Sequence, residues 1–112
     1  MIKTQNENKD SNFLIICDHA SNKIPSNYDN LGLGKDILDT HIAYDIGAKE
    51  VSIHLSNILG CPLIMSDFSR LLIDPNRGID DPTLVMKISD NIIIEGNRNI
   101  CNFKENKEKN YR

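Results

Sequence analysis

The stretch "VSIHLSNILGCPLIMSD", residues 51–67, changes its hydrophobic period half-way along, and that change decides the fold class. Val51, Leu55 and Ile58 step by three or four, the spacing of one helix face. Gly60 then supplies a stop and Pro62 follows at once. Beyond it Leu63, Ile64 and Met65 run on without a polar break, as in a buried strand. A helix that turns directly into an aliphatic strand reads as the second half of a βαβ unit with a parallel strand pair.

Upstream, the helical pattern begins at Asp36. Tyr44 and Ala48 extend the apolar face of Val51, Leu55 and Ile58, with Lys49, Glu50, Ser52 and Ser56 opposite. This predicts a helix from Asp36 to about Leu59, with a break or a close contact near Gly47, which costs about 1 kcal/mol relative to Ala inside a helix. The first strand of the unit is "NFLIIC", residues 12–17, whose unbroken apolar run predicts burial on both faces. Residues 18–34, punctuated by Pro25, Gly32 and Gly34, read as a long loop with room for one helical turn. Downstream, "RLLID" (70–74) predicts a third strand ended by Pro75, and residues 92–94 a short one.

Residues 1–11 are polar and aperiodic, which predicts a disordered tail before a single domain over 12–112. One long helix cannot cover both faces of a parallel sheet. The expectation is therefore the N-terminal part of a larger α/β domain.

The composition narrows the partners. Of 112 residues 39% are hydrophobic, with six aromatics and no Trp, so aliphatic side chains must build the core. Residues 13–97 carry six Lys/Arg against twelve Asp/Glu, and residues 98–112 carry five against two. An acidic body excludes nucleic acid as the main partner. The basic end reads as a solvated helix or a frayed terminus. Cys17, Cys61 and Cys101 are odd in number and widely spaced, which fits a reducing cytoplasm, and the apolar surroundings of Cys17 and Cys61 read as inert core thiols. No apolar run reaches membrane-spanning length and no signal-peptide core is present.

Three segments carry chemistry. Asp18-His19 falls at the carboxyl end of the first strand, where open α/β sheets bind ligands. It reads either as a metal ligand with its orienting acid or as a loop-bonding Asp beside a surface His. In "DTHIAYDIGA" (39–48), His41 and Asp45 stand four apart, a spacing shared by metal ligands, an orienting pair and an ordinary surface pair. In "SRLLIDPNRGIDDP" (69–82), Arg70, Asn76 and Arg77 surround Asp74. Guanidinium forks beside a strand end suit a substrate carboxylate, with the amide of Asn76 adding a bond. The competing reading is a salt-bridge network with Asp74, Asp80 or Asp81. His54 reads as an exposed helix residue, and Arg98 in "EGNRN" as an anion contact or a solvated side chain. Nucleotide-binding, serine-hydrolase and HExxH motifs are absent from the sequence.

Together "CDHASNKIP", "THIAYDIGA", "SRLLIDPNRGIDDPTLV" and "EGNRNI", in this order and spacing, resemble the N-formylglutamate amidohydrolase family over residues 13 to 100. The resemblance implies a three-layer α/β/α fold of the phosphorylase/hydrolase-like type, with a mixed, largely parallel sheet, related to zinc-dependent exopeptidases. It implies hydrolysis of the C–N amide bond of a small N-acyl amino acid, N-formyl-L-glutamate giving formate and L-glutamate in the name-giving case. By the same resemblance His19 is a metal ligand, with Asp45 as a second ligand or its orienter, and the metal is a divalent ion, zinc first. Asn76 and Arg77, with Arg70 beside them, are implied to hold a substrate carboxylate. Where related zinc enzymes carry His-x-x-Glu, this chain has His19-x-x-Asn22, and Asn is a poor zinc ligand. The resemblance covers less than half of a typical member, so the expectation is a fragment without activity of its own. The alternatives are a non-catalytic carboxylate-binding module and an unstable remnant.

Overall fold

The computed structural model describes residues 1–99. The expected βαβ unit is present. Strand β2 (Ile15–Cys17) leads through a long loop and helix α2 (Ala48–Leu59) to strand β3 (Leu63–Ser66), and β2 and β3 pair in parallel, with Ile15 opposite Leu63 and Cys17 opposite Met65. Gly60, in the left-handed conformation at φ 60°, ends α2 as its sequence position predicts.

Gly47 marks a true break. It is the N-cap of α2 at φ 85°, so the helix expected from Asp36 divides into a single turn, α1 (Lys35–Leu38), a run of turns over 39–47, and α2.

The third strand is not where the sequence pattern puts it. Residues 70–72 form a turn and 73–74 are irregular; the Ser69 hydroxyl donates to the Ala43 carbonyl at 2.7 Å and accepts the N–H of Leu71 at 3.2 Å. Their apolar content is used otherwise: Leu71 is fully buried in the core formed by Ile24, Leu31, Leu38, Ile42, Ala43 and Ile94. The place in the sheet is taken by the segment expected to be disordered. Strand β1 (Ile2–Gln5) pairs antiparallel with β3, Ile2 opposite Ser66 and Gln5 opposite Leu63, giving the mixed order β1-β3-β2. An edge strand keeps one side in water, so a polar sequence suffices there. Asn6 secures it to α2 by donating to Ser56 Oγ at 2.8 Å and to Asn57 Oδ1 at 2.9 Å. Residues 92–94 do contain a strand: β4 (Ile88–Ser89) and β5 (Ile92–Ile93) form a hairpin. It turns at Asp90-Asn91, both at positive φ.

Burial also departs from expectation. β2 is not covered on both faces, since Ile16 is 64% exposed. On α2 the buried residues are Ser52 and Ser56, while Val51, Leu55 and Ile58 face outward. Small side chains let the helix lie close to the sheet, and Ser56 is satisfied there by donating to the Cys61 carbonyl at 2.6 Å. The core beneath α2 is Cys17, Ala20, Leu63 and Met65, with Ile15, Ala48 and Ile53 at its edge. Cys17 and Cys61 are buried free thiols, as their apolar surroundings in the sequence suggest.

The "EGNRN" segment serves packing. It forms a short 3-10 turn (Glu95–Asn97) whose Asn97 amide donates to the carbonyls of Leu71 at 2.7 Å and Met86 at 2.9 Å. A Cβ on Gly96 would lie 2.6 Å from the Cα of Leu31, itself held at φ 55°. Gly96→Ala is thus expected to cost about 1–3 kcal/mol through overpacking against backbone, read as a lowered thermal unfolding midpoint. Arg98 is exposed and meets Glu95 at 3.5 Å. The basic stretch "KENKEKNYR" and Cys101 lie outside the described residues. No helix among the described residues is long and apolar enough to cross a membrane.

Candidate active site

Three loops meet at the carboxyl end of β2, and main-chain hydrogen bonds hold them together. The loop after β2 is fixed to the sheet by the Ser66 hydroxyl, which donates to the Asp18 carbonyl. The turns before α2 join it where the N–H of Asp45 donates to the His19 carbonyl at 3.0 Å. The segment after β3 is tied to both, through Ser69 N–H to Lys23 O at 2.7 Å and Arg70 N–H to Ala43 O at 3.3 Å.

This framework brings His19, Asp45, Arg70, Asp74 and Arg77 into one cluster. Asp74 is its centre and is completely buried. Its Oδ1 lies 2.7 Å from His19 Nε2 and accepts the N–H of Asn76 at 2.9 Å. Its Oδ2 meets Arg70 Nη2 at 3.2 Å and Arg77 Nε at 3.8 Å. The Oδ2 contacts lack hydrogen-bond alignment and are ionic. Burial alone pushes the Asp74 carboxyl upward. The His19 hydrogen bond, the Asn76 N–H and the neighbouring His19 and Arg70 outweigh it and hold the group below its ordinary range. Asp74 is therefore a carboxylate that accepts, and His19 Nε2 carries the proton between them.

The other ring nitrogen, His19 Nδ1, faces Asp45 Oδ2 at 3.3 Å. Asp45 is half-exposed and also approaches Arg70 Nη1 at 3.8 Å through its second oxygen. Arg70, only 18% exposed, is thus enclosed between two carboxylates, whereas Arg77 is 42% exposed and touches Asp74 loosely. The side chain of Asn76 is exposed beside it. His19 and Asp74 form the floor of the cluster, and Asp45 and Arg77 its solvent side.

The structure brings together the residues that the sequence singles out singly, and leaves His41 out. His41 and Asp45 do not share a helix face, because 39–47 is a run of turns; His41 is exposed and pairs with Asp90 at 3.3 Å. Asn22 donates to the Leu38 carbonyl at 2.7 Å and to Asp39 Oδ1 at 3.2 Å, a loop-fixing role. The central residue, Asp74, enters the sequence argument only as a counter-ion. The signal that would have raised it is Arg70-x-x-x-Asp74-x-x-Arg77, two guanidiniums within one turn's reach of a single acid.

The donors at His19 Nδ1 and Asp45 Oδ2 have the spacing of two metal ligands. Two ligand atoms at zinc distance on a tetrahedral ion stand roughly 3.3–3.5 Å apart, and the 3.3 Å between His19 Nδ1 and Asp45 Oδ2 matches this. A carboxylate on the far nitrogen is the usual partner of a metal-binding imidazole, and Asp74 occupies that place. Among the described residues no set of three His, Cys, Asp or Glu side chains gathers to hold an ion, so the two donors form a pair only.

The family model described as N-formylglutamate amidohydrolase matches residues 11–110. The chain belongs to the N-formylglutamate amidohydrolase family. Among solved structures it is similar to the gene product Atu2144 from Agrobacterium tumefaciens, with 35% identity and a TM-score of 0.86. That match covers 89% of this chain and 40% of the Agrobacterium chain, so the present chain spans well under half of that protein's length. No curated protein matches. The family agrees with the four-motif resemblance, and the sheet is mixed, with one antiparallel and one parallel pairing where a largely parallel one is expected.

Proposed function

We propose that this amidohydrolase-family chain carries the substrate-holding and water-activating side of a site that hydrolyses the C–N amide bond of a small N-acyl amino acid, N-formyl-L-glutamate being the first candidate. The observation that supports it is the single buried carboxylate, Asp74, on which an imidazole and two guanidiniums converge. A substrate anion needs a guanidinium with a side open to solvent. Arg77, half-exposed, has one: it meets Asp74 only at 3.8 Å and lies within the field of Asp81, and Asn76 stands beside it to add an amide hydrogen bond. Arg70, between Asp45 and Asp74, serves as internal counter-ion and keeps both acids in place.

His19 and Asp45 would hold a divalent ion, zinc by preference, which when bound acidifies a water and polarises the acyl carbonyl. Asp74 fixes the ring so that Nδ1 points toward Asp45. Held by its carboxylate on Arg77, the substrate has its amide brought toward the His19–Asp45 side, which converts a chance encounter into a positioned one.

The test is incubation of the chain with N-formyl-L-glutamate and Zn²⁺, followed by proton NMR of the formate signal and by calorimetric titration. Formate release that His19→Ala abolishes supports the hydrolase. Saturable binding without formate would support a carboxylate-binding module, for which the Arg77–Asn76 side suffices. Absence of binding would end the carboxylate-binding module, and the hydrolase falls if the chain joined to the segment of the Agrobacterium protein that it does not match also releases no formate.

A further inference from the structure

Arg70 is gripped through its main chain from both sides. Before it, the buried Ser69 hydroxyl donates to the Ala43 carbonyl at 2.7 Å, and the Arg70 N–H reaches the same carbonyl at 3.3 Å. After it, the Leu71 carbonyl accepts from the side-chain amide of Asn97 at 2.7 Å. The same amide nitrogen donates to the Met86 carbonyl at 2.9 Å. Further along these two segments the Asp74 N–H donates to the Leu84 carbonyl at 2.8 Å. Asn97 therefore ties the turn that carries Arg70 to the segment that holds the main chain of Asp74.

The turn presenting Asn97 is anchored independently of the site. The Asn97 N–H donates to the Ile94 carbonyl at 3.0 Å, and the Ile94 N–H donates to the Lys87 carbonyl at 2.8 Å. Ile94 is fully buried, and a Cβ on Gly96 would come within 2.6 Å of the Leu31 Cα. A side chain held this firmly sets the position of what it binds. Asn97 is itself buried, and its Oδ1 has no hydrogen-bond partner among the described residues. Burying an amide with its oxygen unpaired is costly, and an apolar side chain would fill the same space without that cost. What the position uses is the double donation, and two carbonyl neighbours fix which way the amide faces.

We infer that Asn97 is a positioning residue of the site: its amide, acting through the Leu71 carbonyl, sets the Arg70 guanidinium between Asp45 and Asp74. Arg70 Nη2 stands 3.2 Å from Asp74 Oδ2 and Nη1 3.8 Å from Asp45 Oδ1. Its Nε is buried with no hydrogen-bond acceptor among the described residues, so the main chain holds the base of the fork. Loosening the turn lets the fork rotate, and Asp74 loses its nearer guanidinium. Arg77, three residues beyond Asp74, then loses its station as well, a consequence for the ligand that rests on the amidohydrolase reading.

The experiment uses the full 112-residue chain labelled with nitrogen-15. It compares the wild type with Asn97→Ala, with the milder Asn97→Ser, which keeps one donor, and with Ile94→Val, a packing lesion in the same segment that removes no hydrogen bond. NMR of the Arg70 Nε–H and Nη–H signals reads rotation of the guanidinium, and separate, slowly exchanging Nη signals are expected in the wild type. In the Asn97 variants that rotation should quicken at least about threefold, and calorimetric affinity for N-formyl-L-glutamate should fall about 3- to 10-fold, the size of coupling within one hydrogen-bond network. Ile94→Val should change neither. An Arg70 signal unmoved in Asn97→Ser, or moved as far by Ile94→Val, would overturn the inference. So would unfolding of both Asn97 variants, which would make the residue a structural support. The Arg70 signal needs no ligand, so it decides the role of Asn97 even if the chain neither binds nor hydrolyses N-formyl-L-glutamate. An unmoved signal, in turn, leaves the hydrolytic reading standing.

Discussion

Asp74→Ala is expected to destabilise the chain by about 3–5 kcal/mol, the usual cost of removing one member of a buried ion network. The side chain is wholly buried. Without it His19 Nε2–H loses its acceptor, Arg70 loses its nearer carboxylate, and the Asn76 N–H loses its turn. A domain of this size has about 5–15 kcal/mol of stability, so the variant would lose a large share of it, measured by chemical denaturation. Asp74→Asn keeps an oxygen for His19 and Asn76 and should lose less.

The two variants also separate in their pH dependence. The Asp74 carboxyl is held below its ordinary range in the fold. A group lowered in this way adds stability above its unfolded pKa, about 3.9, and that stability disappears as pH falls through the lower folded value. The melting temperature of the wild type should therefore drop on acidification below about pH 5, and that of Asp74→Asn should drop less. Equal acid sensitivity in both proteins would remove Asp74 from the centre of the network.

Legibility in the sequence followed the kind of physics involved. The βαβ unit was readable because Gly60 and Pro62 are local signals that tertiary packing does not override. The strand at Ile2–Gln5 was not, because an edge strand is selected by the free edge of β3 and not by its own composition. "RLLID" misled for the converse reason: its apolar residues are buried, but by a turn into a separate core cluster. The outward apolar stripe of α2 shows the limit of amphipathic reasoning, since periodicity locates a face without naming what it faces. At the site, residue types were legible and their meeting was not. His19, Asp45 and Arg77 come from three separate loops; Asp74, whose burial no single-residue pattern announces, joins His19 to Arg77, and Arg70 joins it to Asp45.

Arg77→Ala is expected to weaken N-formyl-L-glutamate binding by about 10- to 100-fold, measured by calorimetry, while leaving the melting temperature nearly unchanged. The size follows from losing a charge-assisted hydrogen-bonding partner worth about 1.5–3 kcal/mol, at 1.4 kcal/mol per tenfold. Stability is spared because Arg77 is half-exposed and its contact with Asp74 is long, 3.8 Å. Arg77→Lys should recover only part of the affinity, since an ammonium cannot match a carboxylate with a planar fork. Arg70→Ala should behave oppositely. Its guanidinium is enclosed by Asp45 and Asp74, so its loss leaves two acids facing each other and lowers the melting temperature first. The contrast between the two arginines is the informative result. If Arg70→Ala lost affinity with its fold intact and Arg77→Ala did not, the substrate carboxylate would sit deeper, between the two aspartates, and the solvent-side position assigned to it here would be wrong.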